Sequence, residues 1–245
     1  MPREWDAATY DRIADPMTRW GSAVLDRLLL AGDERVLDAG CGSGRVTELL
    51  VGRVPHGHVV ALDHSEGMLA EARRRLAAHA DRISYVCADL GAPLPIEQVD
   101  AVLSTATFHW VGDHDALFHN LGQVLRPGGR LVAQCGGVGN IASVRAALAQ
   151  LGVVRDGTYF ATPAETERRL AASGFVDAHA WLQPEPTPFD SAEALGTYLA
   201  TIVIRAPLAA LPETERPAFV RAVVQRLPRL QIDYVRLNIV ARRPL

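Results

Sequence analysis

Apolar residues change their spacing along the chain, from helical stripes to short continuous runs. A helical stripe over 18–30 ends at Gly32-Asp33. Later apolar runs predict strands over 35–38, 58–62, 83–88, 100–104 and 130–134, with helical faces between them, including 66–80 and 114–124. Strands that alternate with helices pair in parallel through right-handed crossovers.

After Gly136 the pattern becomes mainly helical. It predicts helices over 141–151, 164–173, 191–204 and 213–226, and strands over 176–182 and 233–242. Three prolines, Pro184, Pro186 and Pro188, exclude regular structure just before the last two helices. The expected fold is α/β, with a doubly wound, mostly parallel seven-stranded sheet. We divide it into an N-terminal helical cover (1–32) and one domain (33–245), in which 184–230 is a helical insertion that covers the substrate.

Composition limits the class of protein. A chain of 245 residues, 49% hydrophobic and 22% charged, is long enough to fill one large core. The net charge of −3 provides no general basic field for nucleic acid, and no run of about 18 apolar residues predicts a membrane span. The first residues show no signal segment, and Cys87 and the other two cysteines are dispersed. We expect a cytoplasmic monomer or homodimer without nucleic-acid, membrane or metal partners.

The strongest local signal is a glycine-rich loop after the first predicted strand. That strand ends at Asp38, and glycines follow at every second position, at Gly40, Gly42 and Gly44. Glycine is needed where the backbone turns sharply or touches a ligand, and such loops lie at the ligand-binding edge of a parallel sheet. Asp63 ends the second strand, where a carboxylate can accept both ribose hydroxyls. These residues predict an adenosine-containing cofactor.

The spacing of the loop distinguishes between adenosine cofactors. It is G-x-G-x-G, whereas a pyrophosphate is typically bound by G-x-G-x-x-G at a helix N-terminus. Asp38 would also repel a pyrophosphate, but its charge suits a ligand with an ammonium and a sulfonium. The loop therefore favours S-adenosylmethionine.

The loop resembles motif I of the class I S-adenosylmethionine-dependent methyltransferases. Four later stretches resemble that family in the same order: 63–69, 87–90, 104–110 and 125–131. The resemblance covers residues 10–134 and implies a Rossmann-like methyltransferase fold, with S-adenosylmethionine as cofactor and S-adenosylhomocysteine as product. Residues 108–110 and 233–242 are similar to the trans-aconitate-methyltransferase-like branch.

The resemblance implies roles for individual residues. Asp63 would hold the ribose, Met68 would lie near adenine, and Asp89 would accept the exocyclic amine. Met68 fits a plain core position equally well, and Asp89 fits a surface turn or a helix cap. The predicted cofactor-binding set is Tyr10, Asp38, Gly40, Cys41, Gly42, Asp63, His64, Met68, Ala88, Asp89, Leu90, Ser104 and Thr105.

His109 is the candidate general base. It follows the fourth strand beside two aromatic residues, and an ordinary imidazole pKa near 6.5 suits proton removal. The alternative is that it only packs or hydrogen-bonds the cofactor. Candidate substrate-binding residues are Arg19, Trp20, Trp110, Tyr159, Tyr198 and Arg205. Arg19 or Arg205 would bind a carboxylic acid acceptor, whereas the aromatic residues would line an apolar cavity.

The expected activity is methyl transfer by in-line displacement to a small acceptor, through a carboxylate, hydroxyl, amine or carbon. One alternative is a non-catalytic module that only binds S-adenosylmethionine. The other is a nicotinamide-dependent oxidoreductase, which the sequence favours less. The chain contains no lysine, and all 25 Lys or Arg positions are arginines. The Tyr-x-x-x-Lys motif of many such enzymes is therefore absent.

Overall fold

Strands and helices alternate over the first half of the chain, as the hydrophobic pattern predicts. The computed structural model describes residues 15–153 and 157–245. The elements up to residue 136 are α1 (Asp15–Leu25), β1 (Arg35–Ala39), α2 (Arg45–Arg53), β2 (His58–Asp63), α3 (Glu66–Arg75), a 3-10 helix (Ala77–Arg82), β3 (Ile83–Cys87), β4 (Val99–Thr105), a 3-10 turn (Phe108–Trp110), α4 (His114–Val124) and β5 (Leu125–Gly136). The predicted helix over 66–80 thus ends at Arg75, and tighter 3-10 geometry follows it.

The second half is mainly helical. Its elements are α5 (Ala142–Gln150), α6 (Pro163–Ala172), β6 (Val176–Pro184), β7 (Thr187–Pro188), α7 (Ala192–Tyr198), a π-helical segment (Leu199–Val203), α8 (Arg205–Ala209), α9 (Arg216–Val224), β8 (Gln231–Ile232) and β9 (Val235–Arg242). Within the described ranges, no helix is both long and apolar enough to cross a membrane.

The proline-rich segment differs from the prediction. Thr187 and Pro188 pair with Ile232 and Gln231 in a small antiparallel ribbon of β7 and β8. Proline is tolerated at such a short edge, because its missing N–H need not enter a continuous ladder. The predicted helix over 191–204 is also divided, since α7 passes into the π-helical segment after Tyr198.

The main sheet has the strand order β3-β2-β1-β4-β5-β9-β6. Neighbouring strands among β1 to β5 pair in parallel, whereas β9 runs antiparallel to β5 and β6. The predicted doubly wound, mostly parallel seven-stranded sheet is confirmed. The carboxyl ends of the parallel strands share one edge, where Ala39 pairs with Leu62, Asp63 with Cys87, and Thr105 with Gln134.

Both faces of the sheet are covered by helices. One buried cluster joins the sheet to Leu117 of α4 and Leu170 of α6, and a second joins it to Val24, Leu50 and Leu69 of α1 to α3. A third cluster unites α5 with the helices before β9 and includes Trp20, Val144, Leu199 and Val223. The helices between β6 and β9 therefore pack mainly on one another and on α5, and meet α1 at Trp20.

Candidate functional site

A cavity of about 630 Å³ opens at the carboxyl edge of the sheet. The loops after β1, β2, β3 and β4 line it, together with α1, and it reaches β5 and β9 through Gln134 and Arg236. This volume lies within the range of small-molecule sites. One cavity therefore borders both the glycine loop after β1 and the residues Gln134 and Arg236 of β5 and β9.

The glycine loop forms one wall of the cavity, and two of its glycines are required for different reasons. Gly40 has a φ of 85°, and a Cβ atom there would lie 2.2 Å from Oγ1 of Thr107. Gly42 has a φ of 54°, but a Cβ atom there would meet no atom within 4 Å. Gly40 therefore permits contact between the loops after β1 and β4, whereas Gly42 leaves open space beside the cavity for a ligand.

Asp63 connects the loop after β1 with the loop after β2. Its Oδ2 accepts the backbone N–H of Gly42 at 2.9 Å, and its Oδ1 accepts that of Ser65 at 2.9 Å. The residue is 8% exposed and lines the cavity. Each carboxylate oxygen has a second lone pair, so the group can still accept hydroxyl hydrogens from a ligand. The position suits the ribose role predicted for Asp63.

Asp38 lies beneath the loop, and it is not among the residues that line the cavity. It is 1% exposed, its Oδ2 accepts the hydroxyl of Thr47 at 2.7 Å, and its Oδ1 has no hydrogen-bond partner among the described residues. Burial raises the pKa of Asp38 to about 7, and the charge of Asp63 adds to this effect. A cationic ligand in the loop would stabilise the ionised form. Because Asp38 does not border the cavity, its charge would act on a sulfonium- and ammonium-bearing cofactor through the loop and not by direct contact.

Five further residues of the predicted cofactor set line the same cavity: His64, Met68, Ala88, Asp89 and Leu90. The Oδ1 of Asp89 also accepts the N–H of Gly91 at 2.8 Å, so this residue makes the local turn that was its alternative role. Cys41 lines the cavity too, and burial raises the pKa of its thiol well above the ordinary value. Cys41 is therefore a small wall residue and not a thiolate.

Three residues of the predicted cofactor set remain: Tyr10, Ser104 and Thr105. Thr105 lines the cavity as expected. Ser104 is buried, and its hydroxyl donates to the carbonyl of Ala39 at 2.6 Å. It ties β4 to β1 and does not border the cavity, because alternate residues of a strand face opposite sides. Tyr10 lies outside the described residues.

The structure gives the general-base hypothesis for His109 no geometric support. The side chain is 8% exposed and is not among the cavity-lining residues. Its ring packs at 4.9 Å from Trp110 and 5.8 Å from Phe160, and its Nδ1 accepts the N–H of Gly136 at 3.4 Å. Burial, together with the positive charge of Arg236, lowers the pKa of His109 to about 3. So weak a base is poorly suited to remove a proton at neutral pH.

Of the predicted substrate-binding residues, Trp20 and Trp110 line the cavity. Tyr159 instead accepts a hydrogen bond from Arg169 at 2.9 Å, and Tyr198 shares one of 3.2 Å with Tyr234 in the third core cluster. Four candidates do not border the cavity: Arg19, Tyr159, Tyr198 and Arg205. Arg19 is exposed, and the two tyrosines are held by the contacts given above, which sequence spacing does not reveal.

Sequence analysis missed the residues that β5 and β9 bring to the cavity. Arg236 is 4% exposed, its guanidinium lies 4.9 Å from the centre of the Trp20 ring, and its Nε donates to Oε1 of Gln134 at 3.3 Å. A charged residue within the apolar alternation of the last strand was the available signal. Other missed lining residues are Ser43, Arg45, Thr107 and Asp113.

Comparison with known proteins identifies relatives of this chain. Residues 36–129 match the family described as "Methyltransferase domain". The trans-aconitate 2-methyltransferase of Paracidovorax citrulli is 32% identical over 98% of each chain, and that of Methylobacterium nodulans is 42% identical over 54% of this chain and 49% of its own. The latter alignment thus spans about half of that relative.

A solved structure shares the fold. The phosphoethanolamine N-methyltransferase 2 of Haemonchus contortus, in complex with S-adenosyl-L-methionine, has a TM-score of 0.67 at 21% identity, covering 98% of this chain and 57% of that one. The match to the methyltransferase family and to the Paracidovorax citrulli relative gives S-adenosylmethionine as the cofactor of this chain and sets the oxidoreductase alternative aside. The chain belongs to the class I S-adenosylmethionine-dependent methyltransferases, in the branch of the trans-aconitate 2-methyltransferases.

Proposed function

We propose that the chain transfers a methyl group from S-adenosylmethionine to a carboxylate oxygen of a small organic acid. The observation that carries the proposal is the continuous cavity, with the glycine loop and Asp63 at one end and the buried cation of Arg236 at the other. Relatives that match most of the chain are named trans-aconitate 2-methyltransferase, so trans-aconitate is the first acceptor to test.

The cofactor would occupy the end of the cavity formed by β1 to β3. Asp63 would bind the ribose, Asp89 and Met68 would contact adenine, and the ionised Asp38 would stabilise the positive end. When bound, S-adenosylmethionine supplies a methyl carbon, which bonds to the acceptor oxygen while the carbon–sulfur electron pair stays on sulfur and S-adenosylhomocysteine leaves. The protein's own task is to place the acceptor in line and to exclude water.

A carboxylate acceptor needs no proton removed, since its ionised oxygen is already the nucleophile. This chemistry agrees with the weak basicity of His109, whose pKa burial lowers to about 3. Thr105 and Gln134 pair at the carboxyl ends of β4 and β5, and both line the cavity. We place the acceptor over these two residues, between the glycine loop and Arg236.

We further propose that the helices within 184–230 cover the acceptor. The support is Trp20, which lines the cavity and also belongs to the core cluster of α5, α7 and α9. Its ring packs edge-on against Tyr234 at 5.1 Å, and Tyr234 hydrogen-bonds Tyr198 of α7. The aromatic wall of the cavity is thereby attached to the covering helices, which would keep bulk water from the reacting groups.

Incubation of the purified protein with methyl-labelled S-adenosylmethionine and trans-aconitate tests the proposal. We expect a labelled monomethyl ester and S-adenosylhomocysteine in equal amounts, measured by mass spectrometry. Small amines and phenols serve as comparison acceptors, and the Asp63→Ala variant serves as the negative control. Binding of S-adenosylhomocysteine without label transfer to any acid would contradict the assignment of the acceptor.

A further inference from the structure

We infer that Arg236 is the specificity-determining residue for the acceptor carboxylate, and that Gln134 and Trp20 position its guanidinium. The inference rests on the proposed function and adds to it the residue that recognises the acid. Sequence analysis assigned this role to Arg19 or Arg205, neither of which borders the cavity. Of the described arginines, Arg45 and Arg236 do border it.

The strand order places Arg236 far from the nucleoside end of the cavity. Asp63 ends β2 and Arg236 lies on β9, four strand intervals apart in the order β2-β1-β4-β5-β9. At about 4.8 Å per interval, the two strands are roughly 19 Å apart. Asp63 and Arg236 therefore lie at separate ends of the cavity, and the proposed acceptor region over β4 and β5 lies between them.

Burial makes the charge of Arg236 suited to binding an anion. A cation at 4% exposure has lost most of its hydration, so an anion that enters the cavity interacts with it more strongly than it would in water. A guanidinium is planar and can bind a carboxylate through two parallel N–H bonds. This geometry discriminates against neutral acceptors of the same shape, because they lack the paired charged oxygens.

The orientation of the guanidinium is set by two neighbours that are themselves held in place. Its Nε donates to Gln134 at 3.3 Å, and the Trp20 ring lies 4.9 Å from its central carbon. The amide of Gln134 donates to Oδ1 of Asn238 at 2.8 Å, and Arg27 donates to the same oxygen. The plane of the Arg236 group is thus fixed before an acceptor arrives, which lowers the entropic cost of binding.

Arg45 is the other arginine that borders the cavity and could bind the acceptor carboxylate. Its position indicates that it binds the cofactor instead. It opens α2 directly after the glycine loop, on the β1 side of the cavity. A carboxylate at that end would belong to the cofactor's own methionine group. Substitution of Arg45 should therefore weaken cofactor binding, whereas substitution of Arg236 should weaken acceptor binding.

Calorimetry with trans-aconitate, in the presence of saturating S-adenosylhomocysteine, tests the inference without turnover. We expect Arg236→Gln to raise the Kd of trans-aconitate about 30-fold or more, since truncating one partner of a buried charge pair has effects of that size. The Kd of S-adenosylhomocysteine should stay within about twofold. Arg242→Gln is the matched control, because Arg242 lies on the same strand but is exposed and pairs with Asp177.

A second variant keeps the test decisive if Arg236→Gln does not fold, as judged by its thermal melt. Gln134→Glu would place a carboxylate where Nε of Arg236 now donates to the amide oxygen, and this carboxylate would compete with the acid. We expect the Kd of trans-aconitate to rise about tenfold in this variant, again without change in cofactor binding. Unchanged acid binding in either folded variant would overturn the role of Arg236, as would loss of acid binding in Arg45→Gln alone.

Failure of the inference and failure of the proposed function give different results. Wild-type protein that binds trans-aconitate through Arg236 but forms no ester would contradict the proposed reaction and leave the recognition role standing. Wild-type protein that binds no acid but methylates an amine or phenol would overturn the role of Arg236 while methyl transfer itself stands.

Discussion

Gly42 and Asp63 are joined by a hydrogen bond of 2.9 Å, from the backbone N–H of the first loop to the carboxylate at the end of β2. The two strongest signals in the sequence, 21 residues apart, therefore form one physical unit. The carboxylate both orders the glycine loop and faces the cavity. A ligand that contacts the loop consequently meets Asp63 as well.

Replacement of Asp63 by alanine should weaken cofactor binding. The variant loses the carboxylate that we predict to bind the ribose and also the bond that orders Gly42, so we expect a loss of about 1–3 kcal/mol in the binding free energy of S-adenosylhomocysteine. This is about a 5- to 150-fold increase in Kd, measured by calorimetry. Asp81→Ala, at an exposed position, is the control. Equal affinities for wild type and Asp63→Ala would disprove the ribose assignment.

Substitution of two glycines should have opposite effects on stability. Gly40→Ala forces a positive φ on alanine and places Cβ against Thr107, so we expect a cost of at least about 1–2 kcal/mol in the free energy of unfolding. Gly52→Ala lies in α2 with open space around it and should stabilise by about 0.5–1 kcal/mol. Thermal melts should shift by roughly 2–4 °C per kcal/mol in these directions. Similar melts for the two variants would refute the account of Gly40.

Cofactor binding should release a proton near neutral pH. Burial raises the pKa of Asp38 from 3.8 to about 7, so the folded protein holds a proton there that the unfolded chain has already lost, and stability falls as the pH rises from about 4 to 7. A bound cation favours the ionised carboxylate. Affinity for S-adenosylmethionine should therefore increase as the pH rises towards 8.

The proton can be counted by calorimetry at pH 6 in two buffers with different ionisation enthalpies. We expect release of up to about one proton per site in wild type, and less in Asp38→Asn. The asparagine variant should also lose most of the pH dependence of binding. Identical proton release by the two proteins would mean that another group titrates.

His109→Gln should retain most of the catalytic rate. Because burial lowers the pKa of His109 to about 3, the imidazole is neutral at working pH and too weak to serve as a base. We expect kcat to fall less than about tenfold, whereas loss of a general base typically costs 10²–10⁴-fold. His119→Gln, at an exposed position on α4, is the control. A loss of a hundredfold or more in a folded variant would restore the general-base role.

The same burial predicts a pH effect on stability. The unfolded chain takes up a proton at His109 near pH 6.5, while the folded protein resists protonation until about pH 3. Stability from this residue is thus present above pH 6.5 and is lost as the pH falls towards 3. Chemical unfolding at several pH values should show a smaller loss on acidification for His109→Gln, and an equal loss would contradict the predicted linkage.

The order of strands and helices and the position of the cofactor loop could be predicted from residues close to one another in sequence. The alternation of apolar runs predicted the sheet and its flanking helices, and the alternate glycines after Asp38 predicted the cofactor loop. The start of α6 at Pro163 also depends on nearby residues, because Thr162 and Glu165 form a local capping box. These features depend on backbone conformation and periodicity within a few residues, so they can be predicted without knowledge of distant contacts.

Only the tertiary structure shows that Arg236 and Gln134 border the cavity. Arg236 and Gln134 lie 102 residues apart in the chain, yet antiparallel pairing of β9 with β5 brings them within 3.3 Å at the cavity. Packing likewise placed Tyr198 in the core of the helices before β9. It also buried His109, which lowered the pKa of the imidazole. The direction and pKa of a side chain depend on the elements packed around it, and those neighbours are distant in sequence.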